Sequence, residues 1–257
     1  MARTISISNQ KGGVGKTTTA VNLGAALAEM SQRVLLIDLD AQAHLTINMG
    51  VKSPDEIHQT IYNLLVDPET SVHDVIQVNE GMGVHYIPSN IELAGAEGHL
   101  FNEIGREGVL KEKLLPAKRR YDFVIIDCPP SLSLLTLNAF VASDEVIIPL
   151  QCEYFGMKGM QQLLNTINRV KAKLNPQLKV DGILPTIFKG RTLHSQEVLA
   201  LVREHFRDTV YPFAIKDSIR FAESPLAGAS ILQYASASDG ANAYRALAKS
   251  VLDGNGR

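Results

Sequence analysis

Apolar runs of five to seven residues recur along the chain, separated by longer stretches in which apolar and polar positions are mixed. The apolar runs are largely continuous, which is typical of strands that are covered on both faces of a parallel sheet. They predict strands over residues 4–8, 33–37, 84–88, 121–127, 145–150 and 182–187. The intervening stretches predict helices over residues 17–30, 91–104, 131–142, 156–174, 195–206 and 238–252.

This alternation of strands and helices predicts the α/β class: a doubly wound, mostly parallel twisted sheet with helices on both faces. In such sheets, ligands bind at the carboxyl ends of the strands. The chain has 257 residues and contains no internal repeat, low-complexity stretch or linker. Because this length suits one large core, we predict a single domain over residues 1–257.

Composition narrows the class of protein further. Hydrophobic residues make up 45% of the chain, charged residues 20%, and the formal net charge is −2, which is ordinary for a soluble globular protein. No apolar run approaches the ~20 residues that span a bilayer, and the first strand begins too early to leave room for a signal peptide. Residues 246–257 lack Phe and Trp, unlike a membrane-binding amphipathic helix. We expect a cytoplasmic protein with no membrane partner.

The stretch with the clearest chemistry is Lys-Gly-Gly-Val-Gly-Lys-Thr at residues 11–17, between the first predicted strand and helix. Glycines let consecutive N–H groups turn toward one anion, and the following helix adds the positive end of its dipole. In the common pattern G-x-x-x-x-G-K-[ST], lysine reaches the β- and γ-phosphates and the hydroxyl binds Mg²⁺; here these are Lys16 and Thr17, while Gln10 replaces the first glycine. The predicted nucleotide-binding residues are Lys11, Gly12, Gly13, Val14, Gly15, Lys16, Thr17 and Thr18.

Three carboxylates end predicted strands. Asp127 follows the apolar run of residues 121–126, a position at which a carboxylate holds Mg²⁺, often through water. Asp38 and Asp40 end the second strand, and strand alternation directs both toward one site. The alternative for this pair is two solvated carboxylates in a turn at the end of a strand.

These motifs together resemble the ParA/MinD family of P-loop ATPases. The phosphate-binding loop of that family is a deviant form with a lysine near its start, as at Lys11. The family also has a D-x-P-P motif, which matches residues 127–130. The resemblance implies ATP hydrolysis with ATP and Mg²⁺ as cofactors. It implies that Asp40 orients the attacking water, that Asp38, Asp127 and Thr17 serve the metal, and that Lys11 and Lys16 are catalytic. The family often has proline after D-x-D, where this chain has Ala41.

The family's lysine at the start of the loop crosses a dimer interface to the ATP of the partner subunit. For Lys11, the resemblance therefore implies an ATP-bound homodimer, in which a cation stabilises the charge of the transferring phosphoryl group. The alternative is a solvated lysine at the edge of the loop. Residue spacing alone does not distinguish the two.

A second feature is a basic stretch late in the chain. Residues 168–220 contain ten lysines and arginines and five acids, so this stretch carries about +5 and the remainder about −7. Such asymmetry suits binding to the phosphate backbone of nucleic acid. The same residues could instead line ordinary solvated helix faces.

The resemblance assigns particular residues of this stretch to DNA. Residues 189–198 and 219–225 are similar to ParA segments that bind DNA without sequence preference, and the predicted contacts are Lys189, Arg191, Lys216 and Arg220. Relatives often carry a proline near the nucleotide where this chain has Lys216, and Pro212 is our candidate for that role. Pro212 also suits the end of a strand. The resemblance is to short ParA proteins, so we expect no additional N-terminal helix-turn-helix domain.

We therefore predict an ATPase that partitions or positions cargo. The resemblance implies a sandwich dimer that binds non-specific double-stranded DNA on the nucleoid and is released when an adaptor, ParB-like or attached to cargo, stimulates hydrolysis. The cargo could be a chromosome, a plasmid or a protein assembly such as a carboxysome. The alternative is an ATP-switched regulator of cell division or polysaccharide synthesis that acts by protein contact. An electron-carrier function needs cluster-binding cysteines, and Cys128 and Cys152 form no C-x-x-C.

Overall fold

The computed structural model describes residues 1–152 and 157–254. Within these residues, seven strands form one sheet in the order β3-β4-β2-β5-β1-β6-β7. All neighbouring strands are parallel except β3 and β4, which are antiparallel. The strands are β1 (Arg3–Ile7), β2 (Val34–Asp38), β3 (Gln77–Asn79), β4 (Val84–Ile87), β5 (Phe123–Asp127), β6 (Glu145–Gln151) and β7 (Lys179–Thr186).

Helices cover both faces of the sheet. In the described residues they are α1 (Lys16–Glu29), α2 (His44–Asn48), α3 (Ile61–Val66), α4 (Val72–Val75), α5 (Ala96–Leu100), α6 (Val109–Leu114), α7 (Leu134–Ala142), α8 (Met157–Lys173), α9 (Leu193–Phe206), α10 (Arg220–Leu226), α11 (Ile231–Tyr234) and α12 (Asp239–Leu252). Short 3₁₀ helices lie at Pro54–Glu56, Ile91–Gly95, Ala117–Arg119 and Arg207–Thr209. None of the described helices combines the length and the apolar character needed to cross a bilayer.

The continuous apolar strands are explained by cores on both sides of the sheet. In β2, Leu36 joins a core with α1 and α12, whereas Leu35 and Ile37 join a second core with helices α3 to α7. A third core lies between strands β6 and β7 and helices α8 and α9. The predicted doubly wound α/β class is confirmed by this arrangement.

Two predictions differ from the structure. Strand β3 was missed because its sequence, Gln-Val-Asn, contains no apolar run, and it lies at the antiparallel edge of the sheet. The helix predicted over residues 91–104 is wrong in its extent: the segment begins as a 3₁₀ helix and its α-helix ends at Leu100. Gly95 and Gly98 weaken helix formation there. The predicted helix over 156–174 begins at a residue outside the described ones.

The strand order determines where the candidate chemistry meets. Strand β5 lies between β2 and β1, and Asp127 is in register with Asp38 on one side and with Ile7 on the other. The loop that follows β1 therefore begins beside both aspartates. This is the carboxyl edge of the parallel sheet, where the class is expected to bind its ligand.

Candidate nucleotide-binding site

The loop after β1 turns through two left-handed glycines. Gly13 has φ 72° and Gly15 has φ 84°, a region that residues with a side chain rarely adopt. Gly15 is the N-cap of α1, so the helix begins directly under the loop. The Thr186 hydroxyl at the end of β7 donates a hydrogen bond to the Val14 carbonyl over 2.8 Å. The sheet therefore holds the loop in the conformation that its glycines permit.

Lys16 lies beneath the loop and is 8% exposed. Its Nζ donates to the Lys11 carbonyl at 3.4 Å. Burial lowers the pKa of this ammonium, while the negative charge of Asp127 acts in the opposite direction. The loop therefore holds this lysine in place, and nearby negative charge only partly offsets the cost of burying its ammonium. A bound anion would offset the rest of that cost, so the position favours anion binding.

Thr17 and Asp127 meet as the sequence predicts. The Thr17 hydroxyl donates to Asp127 Oδ2 over 2.6 Å, while the buried Oδ1 atom of Asp127 has no hydrogen-bond partner among the described residues. Burial, and then the charge of Asp38, raise the pKa of Asp127 well above its usual value. A hydroxyl and a buried carboxylate with an unpaired oxygen are hard oxygen ligands, so this pair fits Mg²⁺.

Asp38 and Asp40 both act on Asp127 through their charge, but of the two only Asp40 belongs to the described lining of the cavity beside the loop. Asp38 is fully buried, and its Oδ2 accepts hydrogen bonds from the Thr46 N–H over 2.8 Å and the Thr46 hydroxyl over 2.7 Å. Burial raises the pKa of Asp38 to about 6. Its carboxylate therefore anchors α2, and its charge acts on the neighbouring Asp127.

Asp40 lies beyond the end of β2, so the alternation of a strand does not govern its direction. It is partly exposed and lines the cavity beside the loop. Its Oδ1 accepts a hydrogen bond from the Gln42 N–H over 3.0 Å, which leaves the carboxylate at the cavity surface. Its predicted role toward water stays a prediction.

Lys11 is exposed at the outer edge of the loop. Its Nζ donates to Gln151 Oε1 at the end of β6 over 2.9 Å, and its backbone N–H donates to Asn9 Oδ1 over 3.0 Å. Its ammonium is therefore held apart from the buried Lys16. A position at the surface is compatible with contact to a second subunit.

The loop forms one wall of a cavity of about 670 Å³, within the usual range for cofactor sites. The described lining residues include Gly12, Gly13, Gly15, Lys16, Thr17, Thr18, Asp40, His44, Ile215, Lys216, Asp217, Ser218, Phe221 and Tyr244. The resemblance places the position of Lys216 near the nucleotide, but the other cavity-lining residues of the segment 215–221 were not predicted from the sequence. Long-range hydrogen bonds bring this segment to the cavity, such as the one that the Ile215 N–H donates to the Pro185 carbonyl over 2.8 Å. Such a contact cannot be predicted from a local sequence motif.

Pro212 does not belong to the described lining of this cavity, so its prediction as a nucleotide contact is corrected. It is exposed, and its carbonyl accepts a hydrogen bond from Arg203 over 2.9 Å. The chain reaches the cavity three residues later, at Ile215. The proline follows Tyr211, which is anchored to β7 through the Ile183 carbonyl.

The structure brings the four predicted DNA contacts to the same edge of the sheet. Lys189 and Arg191 lie exposed in the turn after β7, and Arg220 lies exposed at the start of α10. Backbone hydrogen bonds join the two segments, from Phe188 N–H to the Ile215 carbonyl and from Asp217 N–H to the Phe188 carbonyl. Lys216 differs from the others because it lines the nucleotide cavity and pairs with Asp239 over 2.8 Å.

A parallel α/β sheet with a glycine loop between its first strand and helix, and carboxylates at the adjoining strand ends, defines a P-loop nucleotide-binding protein. The chain belongs to the AAA_31 family of AAA domains, whose family model matches residues 2–180, and the resemblance to ParA-type proteins is confirmed by its relatives. It is 47% identical to the sporulation initiation inhibitor protein Soj of Bacillus subtilis over 98% of each chain. It is 43% identical to the chromosome partitioning protein ParA of Myxococcus xanthus, over 98% of this chain and 88% of that protein.

A solved structure resembles the whole chain. Cobyrinic acid a,c-diamide synthase from Mycobacterium smegmatis, with bound ADP and magnesium, has a TM-score of 0.88 and 39% identity, and the match covers 100% of this chain and 97% of that one. The same protein is also known with an ATP analogue and magnesium. The fold is therefore shared with a relative whose structure contains ADP and magnesium.

Proposed function

We propose that this protein is an ATPase that partitions or positions cargo, with ATP binding as its switch. The observation that carries the proposal is the cluster of Lys16, Thr17 and Asp127 beneath a left-handed glycine loop, at the carboxyl edge of the sheet. Full-length similarity to Soj and ParA supports the partitioning role. The nucleotide and magnesium in the M. smegmatis structure support ATP and Mg²⁺ as ligands here.

In this proposal, each residue of the nucleotide site has a role that follows from its position. Lys16 and the N–H groups of residues 12–18 bind the β- and γ-phosphates, while Thr17 and Asp127 hold Mg²⁺. When bound, this metal neutralises charge on the phosphate oxygens. Asp40, at the open side of the cavity, orients the attacking water. Asp38 is a positioning residue, because it accepts hydrogen bonds that hold Thr46 in the middle of α2.

The surface position of Lys11 supports an ATP-bound homodimer. In this proposal the ammonium leaves Gln151 and approaches the nucleotide of the partner subunit, where it stabilises negative charge in the transition state. Dimerisation also doubles the basic edge formed by Lys189, Arg191 and Arg220. Two weak phosphate-binding surfaces that are joined in one particle gain avidity, so ATP controls DNA residence.

Release requires hydrolysis in this scheme. An adaptor protein attached to the cargo stimulates the slow hydrolysis, and the dimer then leaves the nucleoid. For DNA cargo, this adaptor would be ParB-like. The protein thereby moves or spaces a chromosome, a plasmid or a protein assembly.

The test is binding to random-sequence duplex DNA with ATP, with ADP and without nucleotide, over a series of salt concentrations. We expect tight binding with ATP only, with an affinity that falls steeply as salt rises because counterions are released. The double variant Arg191→Glu/Arg220→Glu should lose at least tenfold in affinity. Lys171→Glu/Lys173→Glu, which makes the same charge change on α8, serves as the matched control and should bind DNA nearly normally.

Other outcomes would overturn parts of the proposal. Unchanged DNA binding by Arg191→Glu/Arg220→Glu removes the proposed basic edge. No binding in any nucleotide state favours the regulator that acts by protein contact. The name of the M. smegmatis relative suggests a further candidate, ATP-dependent amidation, and it would gain support if ATP turnover required cobyrinic acid and a nitrogen donor.

A further inference from the structure

A second cavity lies at the opposite edge of the sheet from the nucleotide site. Its volume is about 520 Å³, and it is lined by Gln32, Arg33, Val34, Gly83, His85, Arg119, Arg120 and Tyr121. We call it the amino-edge cleft, because these residues lie at or before the amino ends of β2, β4 and β5. The five residues of β2 alone separate the two edges by roughly 16 Å.

The parallel register explains why distant residues converge here. Strand β2 pairs with β4 on one side and with β5 on the other, so the segments that enter these three strands start side by side. The Arg33 carbonyl accepts hydrogen bonds from the Asp122 N–H over 2.8 Å and the Phe123 N–H over 3.1 Å. The cleft is thus built on the rigid ends of central strands.

The lining of the cleft is strongly basic. Three of its eight described lining residues are arginines, and none is acidic. Arg33 is balanced by Asp122, which accepts its guanidinium hydrogen bonds over 2.8 Å and 3.0 Å. Arg119 and Arg120 are exposed, and neither forms an ion pair with a described residue. About two positive charges therefore remain uncompensated in a concave site.

His85 and Tyr121 add neutral polar and aromatic surface. His85 Nδ1 and the Tyr121 hydroxyl are 2.7 Å apart, and their rings meet edge to face with centroids 5.5 Å apart. Burial, and then the charge of Arg120, lower the pKa of His85, which favours the neutral imidazole. The pair contributes hydrogen bonding and a ring face rather than further charge.

We propose that the amino-edge cleft binds a small phosphorylated molecule with at least two negative charges, at a site separate from the ATP site. Arginine forks match the oxygens of phosphate groups, and two free arginines match a dianion. The volume of the cleft, about 520 Å³, suits a molecule of metabolite size. A ligand of this class bound here would contact the strands that end at Asp38 and Asp127.

The test uses inorganic pyrophosphate and titration calorimetry on protein that is saturated with ADP and Mg²⁺, with Mg²⁺ in excess over both phosphate species. Saturation with ADP keeps the probe out of the nucleotide site. We expect one pyrophosphate per chain, with at least tenfold weaker binding in the Arg119→Gln/Arg120→Gln variant. The matched control Arg169→Gln/Lys171→Gln makes the same charge change at exposed positions of α8 and should bind as the unmodified protein does.

Four results would overturn the proposal. The first is no pyrophosphate binding to the ADP-saturated protein, and the second is equal weakening in both double variants. The third is tighter binding of succinate than of pyrophosphate, which would assign the cleft to carboxylates. The fourth is a loss of duplex DNA binding in Arg119→Gln/Arg120→Gln without loss of pyrophosphate binding, which would make this edge a DNA surface. Each result is independent of whether the protein partitions cargo.

Discussion

At the scale of single residues, the nucleotide site is a cluster of buried charges with incomplete partners. Lys16, Asp38 and Asp127 are all less than 10% exposed, and burial lowers the pKa of the lysine while it raises that of both aspartates. Charges in such positions are costly unless they are paired. Phosphate oxygens beside Lys16 and a cation beside Asp127 would supply those partners, which explains why the site favours a nucleotide–metal pair.

A prediction at this scale concerns Asp122, whose hydrogen bonds from Arg33 lower its pKa to about 2. A carboxyl with a depressed pKa stabilises the fold above its unfolded pKa, near 4, and loses this contribution as the pH falls toward 2. Because the pair is solvent-exposed, we expect Asp122→Asn to lower the free energy of unfolding by about 1 kcal/mol or less at pH 7.

Urea unfolding at pH 7 and at pH 3 measures this effect. The difference between the variant and the unmodified protein should shrink at the lower pH. A difference that stays constant with pH would mean that the carboxylate charge of Asp122 contributes nothing. Asp253→Asn, at the exposed end of α12, is the control and should change stability little at either pH.

At the scale of elements, the close approach of α1 to the sheet determines where the loop stands. Gly24 is buried in α1, and a Cβ atom there would lie 2.6 Å from Leu36 Cδ2 in β2. Leu36 is itself fully buried, so it has little room to move. The absence of a side chain at Gly24 therefore sets the distance between the helix and the strand that leads to Asp38.

We expect Gly24→Ala to destabilise the protein by about 1–2 kcal/mol, because overpacking exceeds the gain in helix propensity. Gly98→Ala is the matched control: Gly98 is exposed in α5, and a Cβ atom there meets nothing within 4 Å. This control should be neutral or slightly stabilising. Chemical denaturation measures the free energy of unfolding of both variants. If Gly24→Ala were as stable as Gly98→Ala, the tight contact between α1 and β2 would be refuted.

At the scale of the whole molecule, the sheet separates two anion-binding edges. The loop, the aspartates and the proposed DNA contacts lie at the carboxyl edge, whereas the amino-edge cleft lies at the other. The loop at residues 11–17 also contains two lysines in different environments: Lys16 is buried and Lys11 is exposed. The loop thus holds one lysine in its interior and presents the other at its surface.

This division predicts different defects for the two lysines. Lys16→Ala should weaken ATP binding by about 10- to 100-fold, the usual effect of losing a charged hydrogen bond. Lys11→Ala should bind ATP nearly normally and yet remain monomeric with ATP. Fluorescent-nucleotide titration and light scattering measure the two properties. An ATP-dependent dimer of Lys11→Ala with normal hydrolysis would exclude a role for Lys11 across the interface.

Most of the fold and part of the site were accessible from the sequence. The loop at residues 11–17 and Asp127 depend on short contiguous patterns, and the structure brings Thr17 and Asp127 to 2.6 Å. The direction of Asp38 was not accessible, because it depends on Thr46, eight residues later. The lining by Ile215 and Phe221, in place of Pro212, was also hidden, since long-range backbone contacts determine it.

The sequence by itself determined the alternation of strands and helices, the glycine conformations of the loop and the carboxylate at the end of β5, because each follows from neighbouring residues. Only the tertiary structure decided which aspartate reaches the cavity, which residues form its far wall, and that Arg33, His85 and Arg120 share a cleft. These features depend on strand order and register, which bring together segments that are far apart in the chain.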